Sequence, residues 1–433
     1  MDAKMYQAVQ SDEPATLRRL IDRGGDVDEY YQDMTLISAK SILHMCCEKG
    51  RYECAKVLLE KGADVLIRDT WYQTPLMYSI LTQYENIAAL LLDHNPEAID
   101  IGDKYGKTAL HIAVEGGSAE CVQLLLRYGA DVNVTNNYGV TPLISVCGDK
   151  SLDADVTLQI VQMLLAAGAD PNMRDYRENR NALQRATMTK HIPVIEALLT
   201  AGSDLNTLDS AGRCTVTNLL WYHHSIDLAG DVDDDVMVIV IMLIQAGANL
   251  NLHKYEQSNA LCMATLFRCA PLVNYFLCNG ASQNGDFWCG VTPLQIATRN
   301  KDTRTAKLLL RWHSNLYRKG RVVRGELDYT ADVFHLALDV GAFEIAILLA
   351  DVGYDLSCVS YLVDWSITPT SSLLHNQVMC EYFRQRATTV QSLFRWTLLK
   401  IRSCITGHLI DRATELPLPR SLISAVQLED ILT

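Results

Sequence analysis

The chain has 433 residues, 49% of them hydrophobic, with 38 Lys and Arg against 51 Asp and Glu, a formal net charge of −13. That apolar content suffices for a buried core and excludes a disordered chain, while the acidic balance argues against a nucleic-acid partner, which would need a basic stripe. No charged-then-apolar leader follows Met1, and the longest apolar stretch, from Val236 to Ile244, is too short to span a bilayer; no membrane contact and a cytoplasmic or nuclear protein are expected.

The 13 Cys are odd in number, form no C-x-x-C pair and are expected to be reduced. Cys46, Cys121 and Cys262 fall on predicted helices as small buried hydrophobes rather than as metal ligands. There is no metal quartet, no phosphate-binding glycine loop and no Cys/His pair with a local catalytic pattern. No metal, cofactor or catalytic residue is therefore expected.

In chain order, residues 5–28 end in Arg23-Gly-Gly-Asp-Val-Asp28, the tail of a unit whose start is missing. Residues 1–40 read as an N-terminal cap followed by a linker over residues 30–40. The clearest unit is Thr108-Ala-Leu-His-Ile-Ala-Val-Glu-Gly-Gly117, followed by Cys121-Val-Gln-Leu-Leu-Leu-Arg-Tyr-Gly-Ala-Asp-Val-Asn133. Thr108 can cap the first helix, Gly116 and Gly117 can end it, and Val122, Leu125 and Leu126 form an apolar stripe on the second. Neither helix could bury its stripe alone. With Leu110 as marker, the unit recurs at Leu43, Leu76, Leu143, Leu183, Val216, Leu261, Leu294 and Phe334, mostly 33 or 34 residues apart. Thr74-Pro75, Thr141-Pro142 and Thr292-Pro293 place Pro at the first helical position, where its missing N–H costs nothing.

A period of 33 with a T-P-L-H-x-A start resembles the ankyrin-repeat family. The resemblance implies an all-α solenoid of helix-turn-helix units joined by hairpin loops, with about nine repeats over residues 41–355. Two intervals are longer: residues 148–155 and 225–235 carry inserts, both between a repeat's first and second helix, and expected on one edge of the array. The second insert holds Asp231, Asp233, Asp234 and Asp235. It reads as a solvated loop, with a docking patch for a basic partner as the alternative; the spacing lacks the turn Gly and terminal Glu of a calcium loop. Residues 311–324 read as basic and irregular, with Arg318, Lys319, Arg321 and Arg324.

Beyond a linker over residues 356–390, two signals replace the 33-residue pattern. Ser392-Leu-Phe-Arg-Trp-Thr-Leu-Leu-Lys-Ile-Arg402 sets Leu393, Thr397 and Ile401 on one helical face, and Leu416-Pro-Leu-Pro-Arg-Ser-Leu422 follows. Together they resemble a SOCS box over residues 391–433. The resemblance implies that Leu393, Trp396, Thr397 and Ile401 bind elongin B/C through elongin C. It also implies that Leu416, Pro417, Leu418, Pro419 and Leu422 engage cullin-5 with its RING protein. Trp396, Thr397 and Leu398 depart from the family's Leu, Cys and Arg. An apolar helical stripe and a proline-stiffened strand both suit docking, although the same segments could serve as a cap on the last repeat and a surface turn.

The ankyrin resemblance implies a target surface made of the hairpin tips and the concave face of the first helices. Trp71, Tyr72, Tyr105, Tyr138, Tyr176, Arg177, Phe287 and Trp288 are candidates for holding a protein substrate, because Trp, Tyr and Arg dominate binding hot spots. Tyr72, Tyr105 and Tyr138 recur at 33-residue intervals and should form a column; the same rings could instead stiffen neighbouring hairpins. His44, His111 and His335 are expected to bond backbone in the adjacent turn. Leu126 and Asn133 fit the L-x6-N pattern at which ankyrin hairpins are hydroxylated. The sequence thus points to a non-catalytic substrate receptor of a cullin-RING ubiquitin ligase, with a plain ankyrin scaffold as the rival and an enzyme with an ankyrin regulatory region as a remote third.

Overall fold

All nine marker residues occupy the second position of a helix and are at most 1% exposed. The computed structural model describes residues 2–32, 39–223, 233–252, 259–283, 290–312, 314–324, 327–356, 359 and 376–388, in two compact units, residues 1–211 and 212–433. The first unit pairs α1 (Asp2–Gln10) with α2 (Pro14–Asp22), α3 (Ile42–Lys49) with α4 (Tyr52–Glu60), α5 (Pro75–Leu81) with α6 (Glu85–His94) and α7 (Ala109–Glu115) with α8 (Ala119–Arg127). It ends with α9 (Pro142–Gly148) and α10 (Ala154–Ala166), then α11 (Ala182–Thr189) and α12 (Ile192–Thr200). The second unit continues the alternation with α13 (Thr215–Tyr222), α14 (Asp234–Gln245), α15 (Ala260–Leu266), α16 (Ala270–Cys278), α17 (Pro293–Arg299), α18 (Thr303–Arg311), α19 (Val333–Val340), α20 (Phe343–Val352) and finally α21 (Gln377–Thr388).

Within each unit, first helices pack on first helices and second on second: α3, α5, α7, α9 and α11 in one, α13, α15, α17 and α19 in the other. Each repeat therefore buries its stripe against its neighbour, as a solenoid must. The caps follow the sequence closely. Thr74, Thr141 and Thr292 accept from the amides of Met77, Ile144 and Gln295 at 3.4, 3.2 and 3.3 Å.

The first helices end differently from expectation. Gly116 is right-handed at φ −79° and Gly117 alone turns left at φ +65°. Four repeats place a non-Gly residue in the corresponding left-handed position: Gln83, Lys190, Arg268 and Lys301. The turn geometry is demanded by the stacked helices, and the side chain tolerates it at a cost of about 1 kcal/mol.

Other segments also depart from the sequence reading. In place of a plain linker, residues 30–40 contribute an antiparallel ribbon, β1 (Tyr30–Gln32) with β2 (Ala39–Ser41), Tyr30 opposite Ser41. Within the stretch read as irregular, β3 (Gly320–Arg324) pairs with β4 (Leu327–Ala331). Of the expected linker over residues 356–390, residues 377–388 form α21, seated on the last repeat. Phe383 is fully buried with its ring edge-on to Phe334 at 5.4 Å, and Arg386 pairs with Asp351. Both inserts end as helix starts: Asp153 and Asp233 accept from Asp155 and Asp235 N–H at 2.9 and 3.0 Å. Asp234 and Asp235 thus lie in the first turn of α14, where the helix dipole favours carboxylates. Asp231 lies outside the described residues.

Candidate functional site: the hairpin edge of the first unit

The hairpin tips at Asp69, Asp103, Asn136 and Asp209 are Asx turns, in which a side-chain oxygen replaces a backbone acceptor, and at Asp175 the carboxylate reaches one residue further. Asp69 Oδ1 accepts from Trp71 and Gln73 N–H at 2.8 and 2.7 Å, and Asp103 Oδ1 from Tyr105 and Lys107, both at 2.8 Å. Asn136 repeats the pattern with Tyr138 and Val140 at 2.9 and 3.1 Å. Asp175 and Asp209 supply the next two turns, to Glu178 and Ala211 N–H. One backbone bond links each tip to the next: Lys104 N–H to Trp71 O, Asn137 to Tyr105, Tyr176 to Tyr138 and Ser210 to Glu178, all within 2.8–2.9 Å.

This ladder shifts the register of the expected column. Trp71, Tyr105 and Tyr138 are equivalent; Tyr72 instead occupies the left-handed position, φ +61°, held by Gly106 and Gly139 in the next two tips. The cause is the 34-residue interval between Leu76 and Leu110, whose extra residue is absorbed by the ten-residue α6 and the 3-10 turn Pro96–Ala98. The rings are all exposed: Trp71 45%, Tyr72 54%, Tyr105 43%, Tyr138 53% and Tyr176 74%. Part of their surface is spent on stiffening, since the Tyr176 ring covers Gly139, where an added Cβ would meet Cδ1 at 2.6 Å. Lys104 Nζ stands 5.0 Å from the Trp71 ring centre and the Arg68 guanidinium 5.9 Å from that of Tyr72. Arg177 is exposed at the tip beside Tyr176. Arg68 and Arg174, which a search for aromatic tips passes over, share one register position, each immediately before a turn Asp; that repeated Arg-Asp pair is the signal that marks them.

A buried lock fixes the tips to the helices. Ser41 N–H donates to His44 Nδ1 at 3.2 Å, so the proton sits on Nε2, which donates to Gln73 O at 2.9 Å. His111 makes the same pair with Thr108 N–H and Val140 O. Burial pushes the His44 imidazole down to about 4 and also lowers that of His111. The backbone role expected for both is what the structure contains. Gln184 and Gln295 do the same job without being recognisable as such from the His pattern: their amides bridge Asn181 N–H to Thr207 O, and Thr292 N–H to Arg318 O and Ala331 O. His335 differs, its Nδ1 lying 2.9 Å from Asp332 Oδ1. Although burial raises the Asp332 pKa, hydrogen bonds from His335 and Tyr354 bring it below the usual carboxylate range.

A cleft of about 430 Å³ lies at Gly148, lined by Lys107, Glu115, Ser145, Asp149 and Arg185. Its charges are largely matched, Lys107 to Glu115 at 2.6 Å and Arg185 to Asp175 and Glu178 at 3.0 and 3.2 Å. Asn133 bridges two hairpins, accepting from Asp170 N–H at 2.8 Å and donating to Gly168 O at 3.2 Å. Cys46, Cys121 and Cys262 are buried free thiols, and burial raises the pKa of Cys46 and Cys121. Among the described residues, no cluster of three metal-ligating side chains occurs and no helix is long and apolar enough to cross a membrane. Phe287 and Trp288 lie outside the described residues. So do Leu393, Trp396, Thr397, Ile401, Leu416, Pro417, Leu418, Pro419 and Leu422.

A family profile described as ankyrin repeats (3 copies) matches residues 43–136, 95–175 and 129–209. The chain is 23% identical over 269 residues to the E3 ubiquitin-protein ligase KEG of Arabidopsis thaliana, covering 61% of this chain and 16% of that protein. It is 30% identical over 149 residues to the putative ankyrin repeat protein FPV031 of fowlpox virus, covering 34% and 42%. Against ankyrin repeat and SOCS box protein 6 of Homo sapiens it is 28% identical over 191 residues, covering 40% and 45%. The chain spans less than half the length of each of these relatives.

Proposed function

We propose, from the premise that these helix pairs are ankyrin repeats and form a protein-interaction array, that the chain is the target-holding subunit of an elongin B/C cullin-RING ubiquitin ligase. In this reading the hairpin edge holds the target. Residues 391–433 are a SOCS box, in which Leu393, Trp396, Thr397 and Ile401 contact elongin C and Leu416, Pro417, Leu418, Pro419 and Leu422 contact cullin-5. The RING partner brings the charged conjugating enzyme, and the chain itself contributes no catalytic group. Rate comes from tethering, which raises the effective concentration of target lysines at the thioester.

The observation that carries the reading is the pair of motifs, Ser392–Arg402 and Leu416–Leu422, in that order behind an ankyrin array. The likeness to an ankyrin repeat and SOCS box protein supports it, as does α21. With Phe383 buried and Arg386 paired with Asp351, α21 is seated on the last repeat and immediately precedes residues 391–433 in the sequence. The rival reading is an ankyrin scaffold without a ubiquitin role. Deleting residues 391–433 and comparing captured partners separates the two: the receptor loses elongin B/C and keeps its target, whereas a scaffold loses no partner.

A further inference from the structure

Three hairpin tips of the first unit, those at Asp69, Asp103 and Asp175, expose cations. At these three tips the acid turns inward and the base outward. Asp69, Asp175 and Asp209 are 6%, 2% and 3% exposed, their carboxylates spent on turn amides, on the Tyr78 hydroxyl and on Arg185 and Arg180. Asp103 is half-buried over the amides of its own turn. Arg68, Lys104, Arg174 and Arg177 are exposed, and none of the four is ion-paired among the described residues. They are interleaved with Trp71, Tyr72, Tyr105, Tyr138 and Tyr176, and two of them stand over rings, so the tips at Asp69, Asp103 and Asp175 each offer an aromatic face near a cation. The Gly148 cleft lacks this polarity, its Lys107 and Arg185 being matched by carboxylates.

From this geometry we infer that the edge binds an acidic protein segment, in which Asp or Glu alternates with aromatic or other large apolar side chains, laid across successive tips. Carboxylates pair with the outward cations while the apolar side chains cover the rings. In a chain of net charge −13, outward cations free of carboxylate partners are the exception, and they favour an acidic segment at these tips electrostatically. The inference rests only on the part of the proposed function in which the array holds a protein target; it is independent of the SOCS-box assignment.

The test uses the full chain and fluorescent poly(Glu,Tyr) random copolymer, with poly(Lys,Tyr) and single-stranded oligo-dT as competing chemistries, read by anisotropy. The wild type should bind poly(Glu,Tyr), more weakly as salt rises, and the variant Arg68→Glu, Lys104→Glu, Arg174→Glu, Arg177→Glu should bind roughly tenfold or more weakly. A milder set with Gln at the same four positions keeps the test valid if the reversal disturbs folding, and should lose affinity in the same direction. Absence of copolymer binding by the wild type, unchanged affinity in either variant, or preference for poly(Lys,Tyr) or oligo-dT overturns the inference. Elongin B/C capture by the same variants reports on the ligase reading separately, since these residues lie outside the segment assigned to elongin.

Discussion

Replacing His44 by Gln isolates a titration built into the first unit. At neutral pH the substitution should be nearly silent, because Gln184 and Gln295 already make the same two-way bridge from cap amide to neighbouring turn. In acid the two proteins should part. The folded imidazole titrates at about 4 against an ordinary 6.5, since protonation would bury a charge and destroy the Nδ1 acceptor. Above pH 6.5 both states hold a neutral ring and nothing is lost. As the pH falls from 6.5 towards 4, the unfolded chain takes up a proton that the folded chain refuses, and stability drops. The difference is about 3 kcal/mol when complete and about 2 kcal/mol at pH 5. Urea unfolding of wild type and His44→Gln at pH 7 and pH 5 measures it, with acid effects on carboxylates common to both. The wild type should lose about 2 kcal/mol more than the variant on going to pH 5. Parallel losses would refute the buried neutral lock.

Gly139→Ala should destabilise by more than the roughly 1 kcal/mol of a left-handed alanine, because its Cβ would also strike the Tyr176 ring; Gly129→Ala, with open space around it, should show the backbone cost alone in thermal melts. Gln83→Gly should raise stability by about 0.5–1 kcal/mol by relieving a left-handed side chain, and a lowered denaturation midpoint would contradict the assigned turn. Arg180 is buried against Asp209 at 3.1 Å and Glu178 at 2.6 Å, so Arg180→Met should cost about 3–5 kcal/mol by stranding a buried carboxylate. Adding Asp209→Asn, which keeps the turn acceptor and removes the charge, should recover much of that loss; a second mutation that simply adds its own penalty would argue against coupling.

The repeats are legible in the sequence because stacking demands the same apolar residue at the same helical position, and the markers from Leu43 to Phe334 satisfy it throughout. Counting by 33 misaligns Tyr72 with Tyr105; the 34-residue step from Leu76 to Leu110 is visible in the sequence, but that it is taken up in α6 and the turn at Pro96–Ala98, before the next tip, is not. The left-handed turns at Gln83 and Lys190 are invisible for a related reason: the neighbouring helices impose the conformation, and local preference is overridden. The ribbons at Tyr30 and Gly320 are too short to show a period of two, and α21 lies outside the repeat, so only the burial of Phe383 explains its place. The His lock can be read from Thr108 and His111, but its Gln versions require seeing that both side chains offer an acceptor and a donor to the same two backbone groups. The cationic edge needs the structure most. Arg68 and Asp69 cancel in the sequence; folding turns one outward and the other in.

The central claim is that the chain couples a target-holding ankyrin array to a ubiquitin ligase through residues 391–433. Co-purification of the full chain with elongin B and C, wild type against Leu393→Ala, tests it most directly. A stable complex with the wild type that the variant loses, while both chains remain folded, is the predicted result. A folded wild type that recovers no elongin would contradict the receptor reading and leave an ankyrin scaffold.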